Sequence, residues 1–192
     1  MDFTLVALIS YVFGSIPFGF LLTKIFLKID IRKIGSGNIG ATNALRTGNK
    51  LIAYSTLILD ILKAVIPVLY IKHYNNDLIF VSALCAFLGH VFPIWLKFKG
   101  GKGVATYVGI LCCINFFLGI IFGITWLLVF FISKYSSLSS IIATMIIPVF
   151  SYFILNLNNS YFFLIMFVLI VFTHRENIKR LLNKSESKTK IY

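Results

Sequence analysis

Two glycine-rich segments contain the residues with the clearest potential for chemistry. GSGNIGATNALR at 35–46 combines hydrogen-bonding side chains with an arginine, and FKGGKG at 98–103 combines lysines with glycines. Glycine lets a backbone approach a ligand closely, and its N–H groups beside lysine or arginine suit an anion such as phosphate. The candidate binding residues are Gly35, Ser36, Gly37, Asn38, Asn43, Arg46, Lys99, Gly100, Gly101, Lys102 and Gly103. Both segments therefore predict phosphate-binding loops.

The segment at 98–103 also allows a plainer interpretation, a flexible turn whose lysines reach from the membrane surface to water. A helix predicted to start near Val104 would instead add the donors and positive end of its N-terminus to the loop. The fifteen residues at 35–49 are harder to explain as a simple connector. Neither segment has the spacing of a P-loop or the strand context of a dinucleotide fingerprint.

Polar residues also interrupt the apolar runs near the end of the chain. Ser140 lies in SSLSS at 136–140, where Ser137 is a candidate helix N-cap or a supporting residue. His174 and Asn177 in HRENIKR are three residues apart and would share a helix face, although His174 could equally cap a helix. Ser140, His174 and Asn177 are therefore candidates for orienting a substrate.

Two charged residues lie inside the second apolar run. Asp60 and Lys63 are one helical turn apart, and charges within a membrane usually face the bundle interior and pair. Two interpretations stay open: an ion pair that holds helices together, or a lysine that helps to hold an anion. His90, in GHVFP at 89–93, either packs in the core or holds residues that contact the substrate.

Several common catalytic patterns are absent from the sequence. It has no paired carboxylates for two-metal or acid–base chemistry, no acidic cluster for Mg²⁺, no G-x-S-x-G elbow, and no H-x-x-x-x-D acyltransferase signature. We therefore predict neither a metal nor a cofactor. A site rich in phosphate binders and poor in bases suits a reaction whose substrate is already activated.

The composition indicates a membrane protein. The 192 residues are 59% hydrophobic, the mean hydropathy is +0.94, and the net charge is +12. A soluble domain of this size could not bury so much apolar surface. The positive charge fits either nucleic-acid binding or lysines retained on the cytoplasmic side of a membrane, and the second needs no further assumption. We expect no nucleic-acid partner.

The lysines and arginines decide the predicted topology. The apolar run at 104–133 is too long for one span, and two short helices that turn near 112–117 place 16 of the 18 Lys and Arg residues on one side. This predicts an all-α fold of seven transmembrane helices, with the N-terminus outside and the C-terminus in the cytoplasm. Residues 1–182 would form one membrane domain, and 183–192 a mobile tail.

Five blocks together resemble a known family. GSGNIGATNALR, LDILKAVIP, GHVFPIWLKFKGGKGVAT, SSLSS and HRENIKRLL are similar, in this order, to the motifs of the bacterial acyl-phosphate-dependent glycerol-3-phosphate acyltransferases. The resemblance covers nearly the whole chain. It departs at Ile39, where the family often has proline, and at Ala64, where glycine is frequent. Neither change removes a polar group.

The resemblance implies a seven-helix inner-membrane enzyme. Such an enzyme would transfer a fatty acyl group from acyl-phosphate to the 1-hydroxyl of glycerol 3-phosphate, with the membrane supplying the lipid. A soluble phosphate acyltransferase that forms acyl-phosphate would be a candidate partner. The positions that match the family's active site are Ser36, Arg46, Lys102, Ser140, His174 and Asn177. The alternative from another class is a phosphate-ester transporter or channel. A third option is a lipid phosphatase or phosphotransferase that uses a histidine nucleophile.

Overall fold

The computed structural model describes residues 2–189, and this part of the chain is all-helical, as the sequence predicts. Residues 190–192 of the predicted tail lie outside it. The α-helices of the described part are α1 (Phe3–Ser15), α2 (Phe18–Phe26), α3 (Ala41–Leu45), α4 (Lys50–Tyr74), α5 (Ile79–Val91), α6 (Val104–Ile114), α7 (Phe116–Ser133), α8 (Ser136–Ile154), α9 (Leu157–Thr173) and α10 (Arg175–Leu182). Short 3₁₀ turns occur at Ile31–Lys33, Asn76–Leu78 and Ile94–Leu96.

Most of these helices suit a membrane interior. The segments of the described chain that are long and apolar enough to span a membrane are Phe3–Phe26, Lys50–Tyr74, Asn76–Leu96, Phe116–Ser133 and Ser136–Ile154. The pair α9 and α10, bent by 62°, adds a sixth if it is counted as one span. Large apolar side chains such as Ile132 and Phe153 are 85% and 78% exposed, a surface that suits hydrocarbon. The protein is a multi-pass membrane protein.

The apolar run at 104–133 is divided at Asn115, within the predicted window. The Asn115 side chain accepts a hydrogen bond from the Phe117 N–H at 3.0 Å and so caps the start of α7. The prediction of two helices in this run is confirmed. With 11 residues, α6 is about 17 Å long, well short of the roughly 30 Å of a hydrocarbon core.

The chain divides into two compact units, Met1–Ile114 and Asn115–Tyr192. In the first unit, α4 is the central helix and packs against α1, α2, α3, α5 and α6. In the second unit, α8 packs against both α7 and α9. Each unit is therefore organised around one long helix that carries buried polar residues.

Small residues let α1 and α5 of the first unit approach closely. A Cβ on Gly14 would overlap the backbone of Ala86, and a Cβ on Gly89 would overlap the backbone of α1 at Tyr11. The Ser10 and Ser82 hydroxyls, both buried, are hydrogen-bonded at 2.8 Å across the same interface. Such small-residue contacts with a polar bond are typical of helix packing in membranes.

Helix α8 of the second unit buries a line of hydroxyl groups. Ser139 and Ser140 each donate to the carbonyl four residues earlier at 2.9 Å, and Thr144 does so to Ser140 at 2.6 Å. These bonds satisfy polar groups that would otherwise be costly in an apolar interior. The helix therefore carries hydroxyls inward without a charged residue.

The α1–α5 contact makes a stability prediction. We expect Gly14→Ala to lower the unfolding temperature in detergent by several degrees, because overpacking a tight contact costs about 1–3 kcal/mol. The matched control is Gly123→Ala, since a Cβ at Gly123 in α7 meets no atom within 4 Å. Thermal unfolding of the purified variants measures both. Equal stability of Gly14→Ala and the unchanged protein would contradict the role given to Gly14.

Candidate functional site

The predicted site residues fall into two groups, one in each compact unit. The first unit contains both glycine loops, the cations Arg46, Lys99 and Lys102, and the buried charged residues of α4. The second unit contains the polar residues of α8, of α10 and of the bend that precedes α10.

Asn43 is the residue that holds the loop at 35–46 in shape. Its side chain is buried, and its Oδ1 accepts a hydrogen bond from the Ser36 N–H at 3.0 Å. Its Nδ2 lies within hydrogen-bond distance of three backbone carbonyls, those of Ile31, Ile34 and Asn38, at 2.8–3.1 Å. These contacts make Asn43 a loop-holding residue, and its direct contact with a substrate stays a prediction.

The other residues of this loop are more open. Ser36 and Arg46 are exposed, and Asn38 accepts a bond from the Gly40 N–H at 2.8 Å, which closes a local turn. Gly35 and Gly37 have φ values of 53° and 70°, a region that favours glycine. A Cβ at position 35 would also collide with the Arg46 side chain. The Arg46 guanidinium therefore lies directly against the loop backbone at Gly35.

The loop at 98–103 folds back onto the end of α5. The N–H groups of Gly100 and Gly101 donate to the carbonyls of Val91 and His90 at 3.0 and 3.1 Å. These two N–H groups are therefore engaged within the protein, and the anion-nest interpretation does not apply to them. The glycines are required for space instead, since a Cβ on Gly101 would overlap the His90 ring and one on Gly103 the Phe87 ring.

The two loops are packed around one apolar core. Leu96, two residues before the second loop, lies in a cluster with Ile39 and Ala44 of the first loop region. The other buried members of the cluster are Ile31, Ile52 and Ala53. The first unit thus brings two segments that are some fifty residues apart in sequence to the same end of α4. Lys99 is exposed, Lys102 is half-buried, and helix α6 begins at Val104, as predicted.

A buried ion pair lies further along α4. Lys63 Nζ is 2.8 Å from Asp60 Oδ1, and both side chains are almost fully buried. Lys63 also donates to the Ile16 carbonyl at 2.7 Å, where the chain breaks between α1 and α2. His90 Nδ1 lies 3.7 Å from the same carboxylate oxygen of Asp60. The predicted contact between Asp60 and Lys63 is present, within α4, and His90 connects it to the loop at 98–103. A role for Lys63 in holding an anion stays a prediction.

His174 and Ser140 are both buried in the second unit. The His174 ring nitrogen Nδ1 is 2.8 Å from the Ile170 carbonyl, so this nitrogen carries the hydrogen and Nε2 is the acceptor of the neutral ring. The helix does not continue through His174, because α9 ends at Thr173 and α10 leaves at 62°. Ser140 Oγ accepts from Trp126 Nε1 at 3.1 Å.

Sequence reasoning missed Glu186, which the structure places against three residues of the second unit. Its carboxylate accepts hydrogen bonds from Ser137 Oγ at 2.8 Å, Asn177 Nδ2 at 2.6 Å and Arg180 Nε at 2.6 Å. Burial raises the pKa of Glu186, but the bonds from Arg180, Asn177 and Ser137 together outweigh it and leave the pKa below its ordinary value. Glu186 is therefore ionised at neutral pH. The available clue was an isolated acid among lysines.

Comparison with known proteins gives consistent matches over the whole chain. A family model described as glycerol-3-phosphate acyltransferase matches residues 4–184. The glycerol-3-phosphate acyltransferase of Pelagibacter ubique is 68% identical over 192 residues, with all of both chains covered. That of Bartonella henselae is 50% identical over 190 residues, covering 96% of this chain and 90% of its own.

Two crystal structures of PlsY (YgiH), an integral membrane glycerol 3-phosphate acyltransferase, share the fold. Its glycerol 3-phosphate form superposes with a TM-score of 0.93 at 33% identity and covers 98% of this chain and 96% of its own. Its lysophosphatidic acid form gives a TM-score of 0.89 at 34% identity, with 97% and 94% covered.

The buried pair generates a second stability prediction. We expect Lys63→Met to destabilise the protein by about 3–5 kcal/mol, because it leaves the Asp60 carboxylate buried without its cation. Lys179→Met is the matched control, since its pair with Glu176 is exposed and worth at most about 1 kcal/mol. Denaturant or thermal unfolding in detergent compares them. If both variants unfold alike, the Lys63–Asp60 pair does not stabilise the first unit.

Proposed function

This chain belongs to the glycerol-3-phosphate acyltransferase family, and on that premise we propose that it takes its acyl group from an acyl-phosphate. The acceptor is glycerol 3-phosphate, acylated at its 1-hydroxyl. The products are lysophosphatidic acid (1-acyl-glycerol 3-phosphate) and inorganic phosphate. The reaction is then the first step of phospholipid biosynthesis.

The observation that carries the proposal is the common core beneath the two glycine loops. Members of this core lie within the segment that carries Arg46 and just before the segment that carries Lys99 and Lys102. Both proposed substrates carry a phosphate group, so two anions must lie close together for the reaction to occur. Three cations on firmly held loops would neutralise that repulsion, and such charge stabilisation is among the largest contributions to catalysis.

Once the substrates are bound, the reaction requires few protein groups to take part in making or breaking bonds. The 1-hydroxyl oxygen attacks the acyl carbonyl carbon, the bond from that carbon to the phosphate oxygen breaks, and inorganic phosphate leaves with the electron pair. Because the mixed anhydride has a good leaving group, no covalent acyl-enzyme is needed. The rate then comes mainly from orientation and electrostatics, which the loops and their cations supply.

The residues of the second unit receive orienting roles in this proposal. Ser140, His174 and Asn177 are buried polar groups near the ends of α8, α9 and α10. They would orient the acceptor or polarise the acyl carbonyl. The hydroxyl proton goes either to a phosphate oxygen of a substrate or to Nε2 of His174, whose Nδ1 faces the Ile170 carbonyl.

The proposed placement in the bacterial membrane has seven spans, with the N-terminus outside and the C-terminus in the cytoplasm. The count includes the short helix α6 and the 17-residue helix α9, with α10 on the cytoplasmic side after the 62° bend. It is supported by charge, since all Lys and Arg residues except Lys63 and Lys72 then lie on the cytoplasmic side. The glycine loops, and with them the active site, would face the cytoplasm. A soluble enzyme that makes acyl-phosphate would deliver the donor there.

The donor assignment is tested with purified protein, palmitoyl-phosphate and glycerol 3-phosphate. We expect equal amounts of phosphate and lysophosphatidic acid, and no product when palmitoyl-CoA or palmitoyl-acyl carrier protein replaces the donor. Lys102→Ala should lower turnover by about 100-fold or more, as does the removal of one stabilising donor in other acyl-transfer enzymes.

Lys24→Ala is the matched control for Lys102→Ala. Lys24 is exposed at the end of α2, away from both glycine loops in sequence, and its removal should leave turnover unchanged. Turnover with palmitoyl-CoA but not with palmitoyl-phosphate would overturn the donor assignment. Equal losses in the two lysine variants would show that Lys102 has no particular role.

The two proton acceptors are distinguished by His174→Asn. Asparagine keeps a hydrogen-bonding group of similar size but cannot accept the proton. If a substrate phosphate is the base, the variant keeps part of its activity, whereas loss of a general base reduces turnover by about 100- to 10,000-fold. The measurement is turnover against pH for the variant and the unchanged protein. Loss of the acid limb of the profile in a partly active variant would assign that limb to His174.

A further inference from the structure

Glu186 lies after the last helix, yet its side chain is held firmly against the second unit. The Glu186 side chain is only 9% exposed, while the neighbouring Ser185 and Ser187 are exposed. The backbone is also bound, since the N–H groups of Ser185 and Glu186 donate to the Arg180 carbonyl at 2.8 and 3.2 Å. The bound backbone at residues 185–186 therefore places the Glu186 carboxylate next to Ser137, Asn177 and Arg180.

The contact with Glu186 determines how the Asn177 amide is oriented. An ionised carboxylate only accepts hydrogen bonds, so the Nδ2 of Asn177 must face it, as the 2.6 Å distance shows. The Oδ1 of Asn177 then points away from Glu186. It is buried and has no hydrogen-bond partner among residues 2–189. An amide oxygen without a partner is an acceptor that a ligand's hydroxyl group can satisfy.

The chemistry of the substrate limits what this oxygen can accept. The phosphate group of glycerol 3-phosphate is mostly dianionic at neutral pH, and its oxygens, like Oδ1, are acceptors. Its two hydroxyl groups are the donors of the molecule. Asn177 Oδ1 is therefore suited to a glycerol hydroxyl and not to the phosphate.

We propose that Glu186 is a positioning residue, which holds the Asn177 amide so that its Oδ1 accepts a hydrogen bond from a hydroxyl of glycerol 3-phosphate. The inference rests on the proposed function in one respect, the participation of Asn177 in the reaction. It gives the end of the chain a part in substrate orientation, where the sequence alone predicts a mobile tail. Arg180 and Ser137 hold the carboxylate on its other sides.

The test compares Glu186→Ala and Glu186→Gln with Glu176→Ala, the matched control whose exposed side chain pairs with Lys179 at 3.4 Å. We expect Glu186→Ala to lower kcat/KM for glycerol 3-phosphate by about tenfold or more, since a misplaced orienting group can cost up to about 100-fold. Glu186→Gln should lose less, because its Oε1 can still accept from Asn177. The KM for palmitoyl-phosphate should stay unchanged in all three variants.

A double-variant cycle separates positioning from a general loss of structure. In an Asn177→Ala background, Glu186→Ala should cause no further loss, because the residue it positions is already absent. Losses that multiply would overturn the proposal, and so would a lower unfolding temperature accompanied by a higher KM for both substrates. So would a gain in activity from Glu186→Ala, which would make Glu186 an anion that competes with substrate.

The failure of this inference and that of the proposed function give different results. Turnover of the unchanged protein reports on the donor, whereas the ratio of variant to unchanged protein reports on Glu186 with whichever donor supports turnover. Binding of radiolabelled glycerol 3-phosphate gives the same comparison without any donor. Glu186→Ala should weaken that binding, and unchanged binding together with unchanged kcat/KM would refute the positioning role.

Discussion

A lysine and an aspartate with almost no access to solvent have to be satisfied within the first unit, and its helices are arranged accordingly. The Lys63–Asp60 pair at 2.8 Å is supplemented by the Ile16 carbonyl, which is available because the chain breaks between α1 and α2. Thr106 of α6 donates to the Asp60 backbone carbonyl at 3.3 Å. Because an unpaired buried charge is so costly, this pair limits how α1 and α4 can be placed.

The buried pair also affects the loop at 98–103, because His90 lies between Asp60 and that loop. The ring lies 3.7 Å from Asp60 on one side and against Gly101 on the other, so no side chain fits at position 101. The backbone N–H groups of Gly100 and Gly101 donate to the end of α5, which anchors the loop to that helix. This anchoring matters for the proposed chemistry, since cations orient two phosphates best when the segments that carry them are fixed.

The second unit uses hydrogen bonds where the first uses a buried charge pair. The hydroxyls of Ser140 and Thr144 bond to their own helix, α8, and the bend at His174 directs α10 away from α9. The carboxylate of Glu186 then joins the start of α8 to α10 through Ser137 and Asn177. Arg180 also donates to the Glu186 carboxylate. In the sequence Arg180 has the pattern of a surface charge, but in the structure it belongs to the hydrogen-bonded cluster around Glu186.

The sequence alone determined the features that depend on composition and local pattern. Apolar runs predicted the membrane helices, Asn115 falls within the predicted break, and the five ordered sequence blocks identified the family. These features are local because helix formation, capping and glycine conformations depend on residues a few positions apart. The one-turn spacing of Asp60 and Lys63 likewise allowed an ion pair to be predicted.

Only the tertiary structure decided which polar groups are engaged and which remain available. The partners of Gly100 and Gly101 lie on α5, those of Asn43 lie several residues away around a turn, and Glu186 meets a serine 49 residues earlier. No local pattern encodes such pairings, because they depend on how whole helices pack. The physical reason is that a buried donor or acceptor takes whichever partner the fold brings near, and leaving it unsatisfied costs more than the bond itself contributes.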